Sequence, residues 1–121
     1  MSKRIAVTSA STDGLDAQLD PRFGRAMTFL IVDVDGDNRK IVAQIKNSSV
    51  QAAHGAGTGA AAIMSDNEVN AVISGSFGPK AYQALDQLGI EMWTTNDQIT
   101  ASEALDKLAA KELTKMAVKV Y

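Results

Sequence analysis

The amino-acid sequence predicts an α/β fold in which a five-stranded mixed sheet carries helices on its faces. The chain has 121 residues, about the size of one domain, and 45% of them are hydrophobic, so it can bury a single core. Three strand-like segments come first, and each of two further strand-like segments follows a helix-like segment. We therefore treat residues 1–121 as a single domain with the order β-β-β-α-β-α-β-α.

The first half of the chain predicts three strands. Residues 4–10 and 27–35 are short apolar runs typical of buried strands. Residues 12–26 between them form a long polar loop, and loops of that length in a compact domain are usually functional or disordered. The Gly-Asp-Asn sequence at 36–38 is typical of a hairpin turn, so residues 40–47 are predicted to pair antiparallel with the second strand.

Apolar residues alternate along the predicted third strand. Ile41, Ala43 and Ile45 are separated by polar or mixed positions. This alternation is typical of a strand and supports the prediction of a third strand paired with the second.

The second half of the chain alternates helices and strands. Pro79 suits the first turn of a helix and Gly89 suits its C-terminal cap, while Thr100 and Glu103 fit a capping box at the start of another helix. The predicted segments, in chain order, are a glycine-rich loop at 48–59, a helix at 60–67, a strand at 70–76, a helix at 77–89, a strand at 90–95, a helix at 100–113 and an extended tail at 114–121.

The connections between these segments predict the order of strands in the sheet. The first three strands form a meander, and a strand that follows a helical crossover lies parallel to the first strand. The expected order is 3-2-1-4-5, with strand 2 antiparallel to the others. This is a ribonuclease-H-like arrangement.

Three unusual loops are expected at one edge of this sheet, because they follow the carboxyl ends of strands 1, 3 and 4. Ligands of open α/β sheets bind beyond the carboxyl ends of the strands. Two helices begin there, and helix N-termini present unpaired N–H groups and partial positive charge. Arg22 and Arg25 add charge, Phe23 and Phe77 offer apolar walls, and glycines allow close approach of a ligand. The edge is therefore predicted to bind an anion.

The candidate binding residues all lie on these three loops. They are Arg22, Phe23, Gly24, Arg25, His54, Gly55, Gly57, Gly59, Ser76, Phe77 and Gly78. Taken singly, each also has a structural explanation: the glycines as helix caps, the arginines as surface charges, the phenylalanines as core residues, and the histidine as a solvated side chain.

The composition excludes several classes of protein. The chain has no cysteine, which excludes disulfides, thiolate zinc sites and cysteine-ligated iron–sulfur clusters. Its formal net charge of −2, without a basic block, argues against a nucleic-acid partner. The sequence lacks an apolar run of membrane-spanning length, and its start lacks the apolar segment of a secretion signal, so we expect a cytoplasmic protein without a membrane partner.

Three segments resemble the dinitrogenase iron–molybdenum cofactor biosynthesis family. They are GLDAQLDPRFGRAMTFLIVD at 14–33, HGAGTGAA at 54–61 and VISGSFGPKAYQAL at 72–85. The resemblance extends over about residues 4–113. It implies a small ribonuclease-H-like domain that carries a metal–sulfur cluster used in cofactor assembly.

Within this family the sequence is most similar to members that hold a molybdenum–copper sulfide cluster non-covalently, with two thiomolybdate units flanking one copper. The resemblance implies this cluster as the favoured cargo, with the iron–molybdenum cofactor or its precursor as the alternative, and a partner complex linked to cell division. It also implies that the glycine loop cradles a sulfide and that His54 donates a hydrogen bond or ligates the metal. A cluster that brings its own sulfides suits a chain without cysteine.

Other classes of function remain as alternatives. A nuclease-like enzyme of this fold needs a metal-binding carboxylate on the first strand, but residues 4–8 contain none, and His54 has no evident nucleophile partner. A nucleotide- or phosphate-binding module would use the same anion-binding loops, although the chain lacks a Walker or dinucleotide pattern. The loops also suit a protein-binding surface. We predict a carrier rather than an enzyme.

Overall fold

The computed structural model describes residues 3–47 and 56–116, with side chains from residue 59 onward in the second range. The elements in these residues are β1 (Lys3–Ser9), a 3-10 turn (Gly14–Asp16), β2 (Thr28–Asp35), β3 (Asn38–Lys46), α1 (Ala56–Asp66), β4 (Ala71–Ser74), α2 (Pro79–Gln87), β5 (Glu91–Thr94), α3 (Ala101–Ala109) and β6 (Thr114–Lys115).

The sheet has the order β3-β2-β1-β4-β5-β6, which confirms the predicted order of the first five strands. β1 pairs antiparallel with β2 and parallel with β4, and β4 pairs parallel with β5. One correction concerns the predicted tail, because Thr114 and Lys115 pair antiparallel with β5 as a sixth strand. The rest of that tail, residues 117–121, lies outside the described residues. The ribonuclease-H-like assignment stays a prediction.

Both faces of the sheet are buried at its centre. On one face α1 and α2 cover a core that includes Phe29 and Ile31, and on the other face α3 covers a core that includes Leu30 and Val32. All four side chains of this β2 segment are fully buried. A strand that is covered on both faces must be apolar at every position, which explains the continuous apolar run in the sequence.

The predicted alternation along β3 is interrupted by a bulge. Ile31 pairs with Ala43 whereas Val32 pairs with Ile41, so Val42 is an extra residue. The extra residue reverses the alternation: Ala43 packs against the α1–α2 core, while Ile41 lies on the opposite face and is 43% exposed. The alternation seen in the sequence is therefore broken between Ile41 and Ala43.

The helices confirm the predicted caps, but α1 begins before its predicted start, and α3 ends at Ala109, before its predicted end at 113. Gly78 is the N-cap of α2 with Pro79 in its first turn, Gly89 follows that helix with φ +72°, and Thr100 and Glu103 form the capping box of α3. By contrast, α1 begins at Ala56, not after the glycine-rich loop. The first-turn N–H groups need no intrahelical acceptor, and packing of the buried alanines that follow stabilises the helix despite the glycines.

Candidate anion-binding edge

The carboxyl ends of β1, β3, β4 and β5 lie at one edge of the sheet, here called the carboxyl edge. β2 begins at this edge, since Thr28 pairs with both Ser9 and Lys46 at the ends of β1 and β3. α1 runs from this edge toward the start of β4, and α2 runs from it toward the start of β5. The N-termini of both helices therefore lie at the carboxyl edge. As predicted, the helix N-termini and the loop after β1 thus lie at the same edge of the sheet.

The loop after β1 and the loop after β4 are joined by backbone and side-chain hydrogen bonds. The Phe23 N–H donates to the Ser76 carbonyl at 3.1 Å, and the Ser76 hydroxyl donates to the Pro21 carbonyl at 2.7 Å. The Gly75 N–H approaches the Asp20 carbonyl at 3.4 Å. The predicted convergence of these two loops is therefore observed in the structure.

Gly75 allows this close contact, although the sequence analysis did not place it among the candidate residues. A Cβ at this position would lie 2.5 Å from Pro21 Cα and 2.8 Å from the Pro21 carbonyl oxygen. Atoms of a rigid backbone cannot move away as a flexible side chain can, so only glycine fits here. The glycine between two serines was the available signal, but its partner segment is distant in the sequence.

Residues 20–27, which we call the arginine loop, are also fixed to the end of β3. The Asn47 side-chain amide donates to the Gly24 and Ala26 carbonyls at 3.0 and 2.9 Å, and its N–H donates to the Met27 carbonyl at 3.1 Å. Asn47 is 1% exposed. Asn47 was not predicted as a site residue, because an asparagine at a strand end is usually a turn former.

The Asp20 carboxylate lies beneath the arginine loop and is 3% exposed. One of its oxygens accepts the Arg22 N–H at 2.9 Å, and the other accepts the Met27 N–H at 3.4 Å. The Arg22 Nε lies 3.5 Å from the same carboxylate. A buried carboxylate requires such partners, because an unpaired charge in the interior is costly.

The predicted residues of the arginine loop divide into outward and inward groups. Arg22 and Arg25 are exposed, with the Arg22 side chain 63% exposed, and the backbone of Gly24 is held by Asn47. Phe23 is 1% exposed and its ring centroid lies 5.6 Å from that of Phe29. Phe23 therefore packs in the core, where burial removes its apolar ring from water.

The predicted residues before α2 lie close to the arginine loop. The Phe77 ring is half-buried, with its centroid 5.3 Å from that of Phe23, so part of its apolar surface is open to solvent. Ser76 and Gly78 are exposed, and nothing lies within 4 Å of the position that a Cβ would take at Gly78. Space therefore remains beside the N-terminus of α2.

The predicted residues of the third loop are only partly described. His54 and Gly55 lie outside the described residues. Gly57 and Gly59 belong to the first turn of α1 and not to a loop before it, which corrects the prediction. Among residues 3–47 and 56–116, no group of three or more histidine, cysteine or acidic side chains is arranged to hold a metal ion. In the same residues, no helix has the length and apolarity needed to cross a membrane.

The opposite edge, at which β1 and β4 begin, has a different arrangement of charge. Arg4 and Asp33 form a two-bonded ion pair, with Nε to Oδ1 at 2.8 Å and a second guanidinium nitrogen to Oδ2 at 3.2 Å. The hydrogen bond from Arg4 holds the pKa of Asp33 below its ordinary value. Arg4 also donates to the Asn67 carbonyl at 3.2 Å. The Arg4 guanidinium therefore forms its hydrogen bonds with groups of the protein, Asp33 and Asn67.

Comparison with known proteins identifies relatives along nearly the whole chain. The family described as dinitrogenase iron–molybdenum cofactor matches residues 3–111. The apo form of the orange protein from Desulfovibrio gigas is similar in structure, with a TM-score of 0.85 and 34% identity over 95% of this chain and 93% of that chain.

Two further relatives extend this comparison. Uncharacterized protein MJ0580 of Methanocaldococcus jannaschii is 38% identical over 79 residues, which cover 65% of this chain and 67% of that protein. A Thermotoga protein solved by NMR has the same fold, with a TM-score of 0.79 and 24% identity over 98% of this chain and 97% of that chain.

Proposed function

The chain belongs to the dinitrogenase iron–molybdenum cofactor family, and from this membership we propose that it binds an anionic metal–sulfur cluster non-covalently at the carboxyl edge. The cluster is cargo that the protein holds and delivers, and the protein is not an enzyme. The observation that carries the proposal is the fixed position of the arginine loop beside the N-terminus of α2.

The charges and hydrogen-bond donors of this edge suit an anion. Arg22 and Arg25 supply positive charge from the exposed side of the loop. The first N–H groups of α2 have no acceptor within the helix and add partial positive charge. The half-buried Phe77 ring supplies an apolar surface against which a polarizable sulfide cluster packs.

The favoured cargo is a molybdenum–copper sulfide cluster. The similarity to the orange protein over most of both chains supports this choice, together with the family resemblance described above. The chain has no cysteine, and a cluster of two thiomolybdate units around copper brings its own sulfides. The iron–molybdenum cofactor or its precursor is the alternative cargo, which the family description supports.

The third loop contributes further contacts in this proposal. His54 ligates the metal or donates a hydrogen bond to a sulfide, and Gly55 lets the cluster approach the backbone. Gly57 presents an N–H group of the first turn of α1, and Gly59 allows close approach in the same turn. A cytoplasmic location and a partner complex linked to cell division stay predictions from the sequence.

A titration of the apo protein tests this proposal. The protein is mixed with tetrathiomolybdate and copper, desalted, and analysed by visible absorption and metal content. We expect colour to be retained with molybdenum and copper in a fixed ratio. Loss of both metals on desalting would reject this cargo, and the iron–molybdenum cofactor precursor would be tested next by the same procedure. Retention of a nucleotide instead would favour the phosphate-binding alternative.

A further inference from the structure

Two buried polar side chains hold the arginine loop, and we propose that Asp20 and Asn47 are positioning residues that fix its binding conformation before the cargo arrives. The inference rests on the proposed function and concerns the same edge. Neither residue belongs to the predicted binding set, and neither is exposed enough to touch a ligand, with 3% and 1% of their surfaces accessible.

Asp20 fixes both ends of the loop. Its two carboxylate oxygens accept the N–H groups of Arg22 and Met27, at 2.9 and 3.4 Å. Hydrogen bonds to a charged acceptor are stronger than those between neutral groups. Asp20 is itself anchored to β1, because its N–H donates to the Thr8 carbonyl and the Thr8 hydroxyl donates to its carbonyl, both at 2.8 Å.

Asn47 fixes the middle of the loop from the other side. Its side-chain amide donates to the Gly24 and Ala26 carbonyls, at 3.0 and 2.9 Å. Asp20 therefore supplies acceptors for N–H groups, whereas Asn47 supplies donors for carbonyls. Backbone groups outside regular structure need such partners when they are buried. Asp20 is hydrogen-bonded through its backbone to Thr8 of β1, and Asn47 directly follows β3, so the loop is tied to both strands.

The fixed backbone determines where the side chains of the loop point. The Ala26 N–H closes a turn onto the Phe23 carbonyl at 3.3 Å, and both of these side chains are buried. Arg22 and Arg25 each precede one of these buried residues, and both are exposed. An anion that binds here meets arginines whose backbone is already ordered, so less conformational entropy is lost on binding.

The charge of Asp20 has a consistent role in this arrangement. An exposed carboxylate beside an anionic cargo would repel it, because like charges a few ångströms apart raise the free energy of the bound state. Here the carboxylate is buried and its oxygens are directed at N–H groups of the loop. Its charge thus orders the loop while the arginine side chains face solvent.

The inference is tested with two variants and two matched controls. Asp20→Asn keeps the size of the side chain but replaces one acceptor by a donor that faces an N–H group. Asn47→Ala removes both donated bonds. The control Asp33→Asn makes the same change in the Arg4 ion pair at the opposite edge. The control Asn67→Ala removes a side-chain amide that donates to the Ile63 carbonyl at 2.8 Å, at the end of α1.

Two quantities are measured for each variant: amide hydrogen exchange of residues 22–27 in the cargo-free protein, and the release rate of the molybdenum–copper sulfide cluster, followed by visible absorption. We expect both rates to rise about tenfold in Asp20→Asn and Asn47→Ala, and to stay at the wild-type value in the controls. Thermal unfolding of all four variants measures the general loss of stability. A purely structural role would lower stability without raising the exchange and release rates.

The outcomes separate this inference from the function on which it rests. Wild-type protein that retains no cluster overturns the proposed function. Wild-type retention with equal exchange and release rates in site variants and controls overturns the positioning role. If Asn47→Ala does not fold, Asp20→Asn decides by the same two rates, because it preserves the volume of the buried side chain.

Discussion

The two edges of the sheet use the same charged residue types in opposite ways. At the edge where β1 and β4 begin, here called the amino edge, Arg4 and Asp33 bond to each other through two pairs of atoms, so each charge is paired with the other. At the carboxyl edge, the Asp20 carboxylate accepts backbone N–H groups of the arginine loop, and Arg22 approaches it at 3.5 Å with its side chain still 63% exposed. At the amino edge the two charges pair with each other. At the carboxyl edge the carboxylate orders a loop, and the arginine side chain presents positive charge to solvent.

The largest expected effect comes from breaking the contact that joins the two loops of the carboxyl edge. Gly75→Ala places a Cβ against the Pro21 backbone, so we expect a loss of about 2 kcal/mol or more in the free energy of unfolding. Urea unfolding measures this loss. Gly78→Ala is the matched control, because its Cβ meets open space, and we expect it to cost less than about 1 kcal/mol. Equal losses in both variants would show that the close contact does not restrict the side chain.

Removing the arginines tests the charge of the carboxyl edge. Arg22→Ala with Arg25→Ala should weaken cluster retention by about tenfold or more and leave the fold intact, because both side chains are exposed. Metal analysis after desalting and thermal unfolding measure the two effects. Lys3→Ala with Lys40→Ala removes the same charge from exposed positions elsewhere and should retain the cluster. Unchanged retention in the arginine variant would contradict the charge argument.

Replacing the histidine tests the third loop. His54→Ala should lower the affinity for the cluster or change its visible spectrum, because an imidazole ligand or donor at the metal–sulfide centre is lost. Spectral titration of wild type and variant makes the comparison. An identical spectrum and affinity would show that the His54 side chain does not contact the cluster.

The smallest expected effect is a pH dependence at the amino edge. Because Arg4 lowers the pKa of Asp33 in the folded protein, the pair stabilises the fold fully above the ordinary pKa of 3.8 and loses this contribution as the pH falls through the lowered value. The thermal unfolding temperature of wild type should therefore exceed that of Asp33→Asn at neutral pH, and the difference between the two temperatures should shrink in acid. A constant difference across this range would argue against the ion pair as its source.

Much of the fold was predictable because its signals are local. The hairpin turn, the proline and glycine at the ends of α2, and the capping box of α3 each depend on a few neighbouring residues, and all are present. The strand order followed from connection rules. The site was predictable as a region, since the edge follows from strand direction, and it was less predictable residue by residue.

Two differences from the sequence-based expectations involve contacts between distant segments. Phe23, a candidate ligand wall from the sequence, is buried and packs between the rings of Phe29 and Phe77. The Val42 bulge turns Ile41 away from Ala43, and no local pattern indicates the extra residue. The alternation of side chains is a property of one strand, whereas the bulge is a property of a pair.

The sequence by itself determined the class of fold, the strand order of the first five strands, the ends of α2, the N-terminal cap of α3 and the family, because propensities, caps and motifs act over a few residues. Only the tertiary structure decided that Phe23 faces inward, that Gly75 must lack a side chain, and that Asp20 and Asn47 hold the arginine loop. These features arise where segments far apart in the chain come within hydrogen-bonding or van der Waals distance, and a linear pattern does not encode which segments meet.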